Sequence, residues 1–257
     1  MQVKAKKKLG QHFLEDEGIA QKIVNSLSPD NYEVVLEIGP GMGVLTKYLA
    51  RESYTTYAID VDKESVAYLK KTAILPLDQI LLGDFLKINL DDLIKKPFAI
   101  IGNFPYNISS QIVFKTIENR HKIPELVGMF QKEVAERICA KPGSKIYGIT
   151  SVLTQAFFNT TYLFSVPPQV FRPPPKVNSG VIKLTRIKPL VAKECERLFF
   201  TIVKTAFNQR RKKISNSLSR YNLPKELLED SIFAKRPEQL SVCDFVNLMS
   251  KVGPYVD

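Results

Sequence analysis

The chain has 257 residues, 44% of them apolar, enough to bury the core of one large domain or of a domain with a small appendage. Its 37 lysines and arginines against 26 acids give a formal charge of +11, which points to a polyanionic partner, nucleic acid ahead of a membrane surface, over a basic surface with no partner. Three widely spaced cysteines (Cys139, Cys195, Cys243) exclude a disulfide framework and a cysteine metal cluster, and no apolar run reaches membrane-spanning length.

The first residues, MQVKAKKKLGQHFLEDEG, carry a basic head and no apolar stretch before their acids. No secretory leader is expected, and a soluble cytoplasmic protein is. Asp16 can cap a helix over Glu17–Leu27, with Ile19, Ile23, Val24 and Leu27 as its apolar stripe. Short apolar runs then alternate with helical patterns. VVLEI (34–38), TTYAI (55–59), QILL (79–82), FAIIG (98–102) and LVGMF (126–130) read as strands. GVLTKYLARE, KESVAYLKKT and SSQIVFKTIEN between them read as helices. This alternation predicts an α/β fold with a mostly parallel, doubly wound sheet. SVLTQAFFN adds a helix. TYLFSV and GVIKLTR then follow with only a Pro-rich loop between them, so one strand is expected to run against the rest. The composition shifts near Lys188-Pro189, and beyond it only helical patterns occur, with Val203, Phe207, Ile214 and Leu218 on one face. The predicted domains are 1–188 and a small helical domain at 189–257.

The chemistry gathers at predicted strand ends. LEIGPGMGVLT (36–46) closes the first strand with Gly39, Gly41 and Gly43, which permit a tight turn and close approach to a ligand. The dinucleotide fingerprint fails because position 44 is Val, and that fingerprint serves to seat a pyrophosphate. S-adenosylmethionine has no phosphate and suits a different glycine pattern. Alone, the triplet is equally a tight turn. Asp60, 21 residues after Gly39, can accept from both hydroxyls of a ribose. Asp62 reads as a solvated residue or a helix cap. Asp84 closes the third strand, where it can take an adenine amino group with Phe85 against the ring.

The fourth strand ends in Asn103-Phe104-Pro105-Tyr106. An exocyclic adenine amine is a poor nucleophile, because its lone pair is delocalised into the ring. A carboxamide oxygen from Asn103 and a neighbouring backbone carbonyl can accept both its N–H bonds and free that lone pair. Pro105 fixes φ and offers no competing N–H. Tyr106 offers a face for stacking, worth ~1–3 kcal/mol per base. Asn103, Pro105 and Tyr106 are the candidate catalytic residues, and Phe104 and Tyr106 are candidate substrate contacts. No metal is expected.

These stretches, with KKKLGQHFL, GDFL, PGSKIYGITSVLTQ, VFRPPPKVNSGVI and AFNQRRKKISNSL, make the chain resemble the ribosomal RNA adenine N6,N6-dimethyltransferase family nearly end to end. The resemblance implies a Rossmann-like methyltransferase sheet and a helical C-terminal RNA-binding domain. It implies cofactor contacts from His12 and Leu14 in a segment folded over the cofactor, beside Gly39, Gly41, Asp60, Asp84 and Asn103. Glu37 matches an acid before the glycines. Phe104 departs from the aliphatic residue more often found there. The resemblance also implies that Phe171, in the stiff loop 166–180, faces the target base opposite Tyr106.

From Lys204 to Arg220 there are six basic residues and no acid. Arg210, Arg211 and Lys212, with the head lysines Lys4, Lys6, Lys7 and Lys8, are candidate phosphate contacts. The implied reaction turns S-adenosylmethionine into S-adenosylhomocysteine and methylates two adjacent adenines of small-subunit rRNA. The expected substrate is an immature small ribosomal subunit; the enzyme is expected to be a monomer, with neither membrane nor DNA as partner. The rivals are a large-subunit resistance-type methylase, a DNA adenine or glutamine methyltransferase, and a ribosome-assembly checkpoint protein.

Overall fold

The computed structural model describes residues 3–256. In chain order its elements are β1 (Phe13–Leu14), α1 (Glu17–Val24), β2 (Val34–Ile38), α2 (Thr46–Leu49), β3 (Thr55–Asp60), α3 (Lys63–Thr72), β4 (Ile80–Leu82), α4 (Leu90–Leu93), β5 (Phe98–Asn103) and α5 (Ser109–Glu118). Then come β6 (Glu125–Gln131), α6 (Lys132–Cys139), α7 (Ile149–Gln155), β7 (Phe158–Val166), β8 (Phe171–Arg172) and β9 (Ser179–Arg186). The last helices are α8 (Glu196–Asn208), α9 (Ile214–Ser217), α10 (Lys225–Leu228) and α11 (Val242–Val252).

Seven strands form one sheet in the order β4-β3-β2-β5-β6-β9-β7. The pairs β2/β3, β3/β4, β2/β5 and β5/β6 are parallel, and β9 runs antiparallel to β6. β2 and the first five residues of β5 are fully buried, which explains why they read as unbroken apolar runs: a parallel strand is covered on both faces. From β2 the chain winds one way to β3 and β4, then the other way to β5 and β6. The order therefore reverses between β2 and β5, and ligands of open α/β sheets bind beyond the carboxyl ends of strands at such a reversal. A separate two-stranded ribbon pairs β1 with β8, Leu14 opposite Phe171.

The chain divides into two compact units. One comprises the residues up to Ala135 with Thr160–Arg186; the other comprises Glu136–Asn159 with the residues from Ile187 onward. The composition boundary after 188 lies beside the return at Ile187, but the helical unit also takes Glu136–Asn159, which the composition places with the sheet. The cause is packing: Tyr147 is fully buried with its ring 6.3 Å from that of Phe207, and Phe157 sits edge-on to Phe200 at 6.1 Å. Val203, Phe207, Ile214 and Leu218 are all buried, yet not on one continuous helix. α8 stops at Asn208, and the basic run 209–213 forms the connection to α9. Continuing the helix would have stacked Arg210 against Lys213 one turn on, a like-charge pair.

Behind the end of β5, the ring of Phe104 fills space left by two glycines. A Cβ on Gly128 would lie 2.1 Å from that ring, and one on Gly102 would lie 2.5 Å from the Ile38 carbonyl. Gly128→Ala is therefore expected to cost about 1–3 kcal/mol by overpacking, measured by chemical denaturation.

Candidate active site

A cavity of about 340 Å³ opens at the carboxyl ends of β2, β3, β4 and β5. Gly39 and Gly41 line it after β2, Asp60 and Val61 at the end of β3, Asp84 and Leu86 after β4, and Asn103 to Ile108 after β5. Residues 9–13 supply a further wall from the amino-terminal strap. The glycines have separate tasks. Gly39 (φ +69°) and Gly41 (φ +56°) hold left-handed backbone at the cavity, and a Cβ on Gly41 would strike the Phe13 ring at 2.9 Å. Gly43 faces away, against Leu69 of α3.

Asp60 is held from two sides. The Asp62 N–H donates to its Oδ1 at 2.8 Å and the Gly41 N–H to its Oδ2 at 3.4 Å. Burial pushes its carboxyl above the ordinary range, and these N–H groups oppose the shift. Asp84 is half exposed and accepts from the Leu86 N–H at 2.9 Å. Asn103 donates through Nδ2 to the His12 carbonyl at 2.8 Å, which leaves its Oδ1 as the acceptor. The next peptide is fixed by the Phe104 N–H on the Met129 carbonyl at 3.2 Å. Among the described residues no donor takes the Phe104 carbonyl. The Tyr106 hydroxyl meets Ser179 Oγ at 2.6 Å, and its ring lies 5.4 Å from that of His12. His12 Nδ1 sits 2.7 Å from the Pro173 carbonyl.

The cavity thus brings together His12, Gly39, Gly41, Asp60, Asp84, Asn103, Phe104, Pro105 and Tyr106. Leu14 is buried in the core and borders a neighbouring void of about 20 Å³ beside Gly39 and Asn103. Three expectations need correction. Phe104 is 1% exposed, with its ring edge-on to Phe130, so it can offer a substrate only its backbone. Phe171 does not line the cavity. It is 3% exposed in the core with Leu14, Ile23 and Val166, because pairing of β8 with β1 turns it inward. Arg210 is half-buried, donating to the Ser144 and Lys145 carbonyls near Glu238, so it braces the helical unit. Arg211, Lys212 and Lys213 are exposed.

Residues 2–244 match the family described as ribosomal RNA adenine dimethylase. The chain belongs to that family. It is 60% identical to the ribosomal RNA small subunit methyltransferase A of Flavobacterium johnsoniae, covering 97% of this chain and 96% of the relative. The protein of the same description from Cytophaga hutchinsonii is 55% identical, covering 98% of each. Among solved structures, a dimethyladenosine transferase from Plasmodium falciparum superposes with a TM-score of 0.78 at 28% identity, over 95% of this chain and 98% of that one. The 23S rRNA methyltransferase ErmE superposes with a TM-score of 0.75 at 25% identity, over 94% of this chain and 99% of that one.

Several residues of this cavity carry no chemical signal in the sequence. Leu86 stands where Phe85 was expected; Phe85 is buried. Lys115 of α5 fixes this loop, donating to the Leu86 carbonyl at 3.0 Å and the Ile88 carbonyl at 2.6 Å, with its ammonium 5.3 Å from the Phe85 ring centre. Ser179, which anchors Tyr106, comes from β9, far along the chain. Gln11, Phe13, Val61, Leu86 and Asn107, each next to a singled-out residue, carried a signal by position.

Glu37 is buried beneath the glycine turn and accepts from Thr46 Oγ1 at 2.7 Å. Burial raises its carboxyl to about 8, with the Asp60 charge adding to the rise and the Thr46 bond opposing it. Its folded-state value thus lies above its ordinary 4.5, so the native chain holds a proton there that the unfolded chain has released. This contribution to stability is full below pH ~4.5 and lost as pH rises to about 8. Glu37→Gln should remove that part of the pH dependence. Relative to the parent chain, the variant's thermal midpoint should gain steadily between pH 5 and 8.

Proposed function

We propose that this chain transfers methyl groups from S-adenosylmethionine to N6 of adenines in small-subunit ribosomal RNA, giving N6,N6-dimethyladenosine. The observation that carries this reading is the pair of acceptors at the end of β5: Asn103 Oδ1, oriented by the His12 carbonyl, and the Phe104 carbonyl beside it. Two acceptors side by side match the two N–H bonds of an exocyclic amine. Accepting both makes the nitrogen pyramidal and releases its lone pair for attack. Pro105 contributes no donor to compete. Tyr106, steadied by Ser179, presents a ring to the base, as expected of an enzyme acting on an unstacked nucleotide. No strong general base is required, since the methylated amine is cationic and loses its proton readily.

S-adenosylmethionine, when bound, supplies the methyl group from its sulfonium. The residues present fit it: an acid aimed at ribose hydroxyls (Asp60), an acid beside an apolar side chain at the next strand end (Asp84, Leu86) and open glycine backbone (Gly39). The cavity's position at the strand-order reversal supports the same assignment. Identity of 50–60% to relatives described as small subunit methyltransferase A, against 25% to ErmE, favours the small-subunit substrate over the large-subunit one. The finer reading is two adjacent adenines in an immature small subunit, a monomeric enzyme, and action in the cytoplasm. The exposed Arg211, Lys212 and Lys213 supply phosphate contacts that position the RNA without reading its sequence.

The test is methyl incorporation from labelled S-adenosylmethionine into unmethylated small subunits, large subunits, naked rRNA and DNA, with nucleoside analysis. Dimethyladenosine confined to small-subunit RNA is expected. Labelling of large subunits, or tight subunit binding with no labelling, would overturn the assignment. Asn103→Ala should lower turnover by about two to three orders of magnitude, the typical loss of one preorganised hydrogen-bonding group, with subunit affinity nearly unchanged. Neutralising Arg211, Lys212 and Lys213 together should weaken subunit binding and flatten its salt dependence by ~1 in slope per lost phosphate contact. Neutralising Arg210 alone should lower thermal stability and leave that slope unchanged.

A further inference from the structure

We propose that Asp62 is a positioning residue whose carboxylate latches the amino-terminal strap across the cofactor side of the cavity; the inference rests on the S-adenosylmethionine reading above. β3 ends at Asp60 and α3 begins at Lys63, so a short turn presents two carboxylates in different directions. Asp60 lines the cavity, and Asp62 does not. The Asp62 side chain is only 1% exposed. It caps α3 by accepting from the Glu64 N–H at 3.0 Å. A cap alone needs no such burial: Asn89 caps α4 from an exposed position.

The rest of the Asp62 carboxylate is spent on the strap. Lys6 Nζ donates to Oδ1 at 2.5 Å, and Gln11 Nε2 donates to Oδ2 at 3.1 Å. Gln11 Oε1 in turn accepts from the Lys6 N–H at 2.8 Å, which closes residues 6–11 into a ring of hydrogen bonds around Asp62. Lys6 also pairs with Glu64 at 2.9 Å. Lys6 is therefore committed to the protein, unlike the exposed Lys4, Lys7 and Lys8. Burial works against the ionised carboxyl of Asp62, and the Lys6 and Gln11 donors more than offset it, holding it below its ordinary range.

The ring fastens one end of the segment that forms the cavity wall. Leu9 to Phe13 line the cavity, and the His12 carbonyl orients Asn103. The other end is fastened by β1 on β8 and by the Glu15 N–H on the Val170 carbonyl at 2.8 Å. A continuous path thus runs from Asp60 through the Asp62 N–H, the Asp62 carboxylate and Gln11 to the strap and Asn103. Removing Lys6 leaves a buried carboxylate without its cation, which favours release of the strap into water.

The test compares wild type, Asp62→Asn, Lys6→Met, the double variant and Lys6→Arg. Asparagine keeps the helix cap and removes the charge. Titration calorimetry with S-adenosylhomocysteine should show each of the first two variants binding about tenfold more weakly. The double variant should be no worse than either, because the residues act as one unit, and Lys6→Arg should stay near wild type. Hydrogen exchange without ligand should show faster exchange at residues 9–13 in Asp62→Asn. Affinity within about twofold of wild type, or effects that add in the double variant, would overturn the latch, as would unchanged exchange at 9–13. Failure of the wild-type chain to bind S-adenosylhomocysteine would instead contradict the cofactor reading, while the exchange result would still decide whether Asp62 holds the strap.

Discussion

The site depends on one hydrogen bond, from the Asn103 amide nitrogen to the His12 carbonyl. An amide is ambiguous: one end donates and the other accepts. With Nδ2 committed to a backbone carbonyl, only Oδ1 remains to meet a donor. The bond also joins two distant segments, the strap at the amino terminus and the end of β5. Anything that moves the strap frees the amide to rotate and would remove the preference for an amine proposed above. Rigidity comes from behind as well, where Phe104 fills the space left by Gly102 and Gly128 and its N–H is held by Met129. Such a constellation does its work by being in place before the substrate arrives.

Charge is arranged in two kinds of place. The acids that matter are buried at the sheet edge: Glu37 and Asp60 are pushed up by burial, and Asp62 is held down by its donors. Burial opposes the charge on a carboxylate, and paired donors restore it, so neighbouring acids of one turn shift in opposite directions. The basic residues of the 208–213 run are outside the regular helices of their unit, where Arg211, Lys212 and Lys213 stand exposed.

The sheet was legible because its central parallel strands, β2, β5 and β6, are buried on both faces and announce themselves as apolar runs. The cavity was legible because Gly39, Asp60, Asp84 and Asn103 each close such a run, and parallel strands bring their ends to one edge. What stayed hidden depends on partners distant in sequence. Nothing local in PGSKIYGITSVLTQ says that Tyr147 packs on Phe207, so the sequence does not show that Glu136–Asn159 belongs to the helical unit. Asp62 read as a solvated residue or a helix cap; it is a cap but not solvated, and its burial follows from Lys6 and Gln11, about fifty residues or more earlier. Phe171 was expected at the target base from resemblance; strand pairing with Leu14 turns it into the core instead. Ser179 and Lys115 act through a hydroxyl and an ammonium whose reach no spacing rule describes.

Asn103 Oδ1 and the Phe104 carbonyl are together proposed to hold the amine to be methylated. The most direct measurement is the position of the target base in a crystal of this chain with S-adenosylhomocysteine and an RNA fragment. The adenine N6 is expected within ~2.7–3.2 Å of both oxygens, with its ring against Tyr106. An N6 held by other groups, or an Asn103 turned so that Nδ2 faces the base, would contradict it.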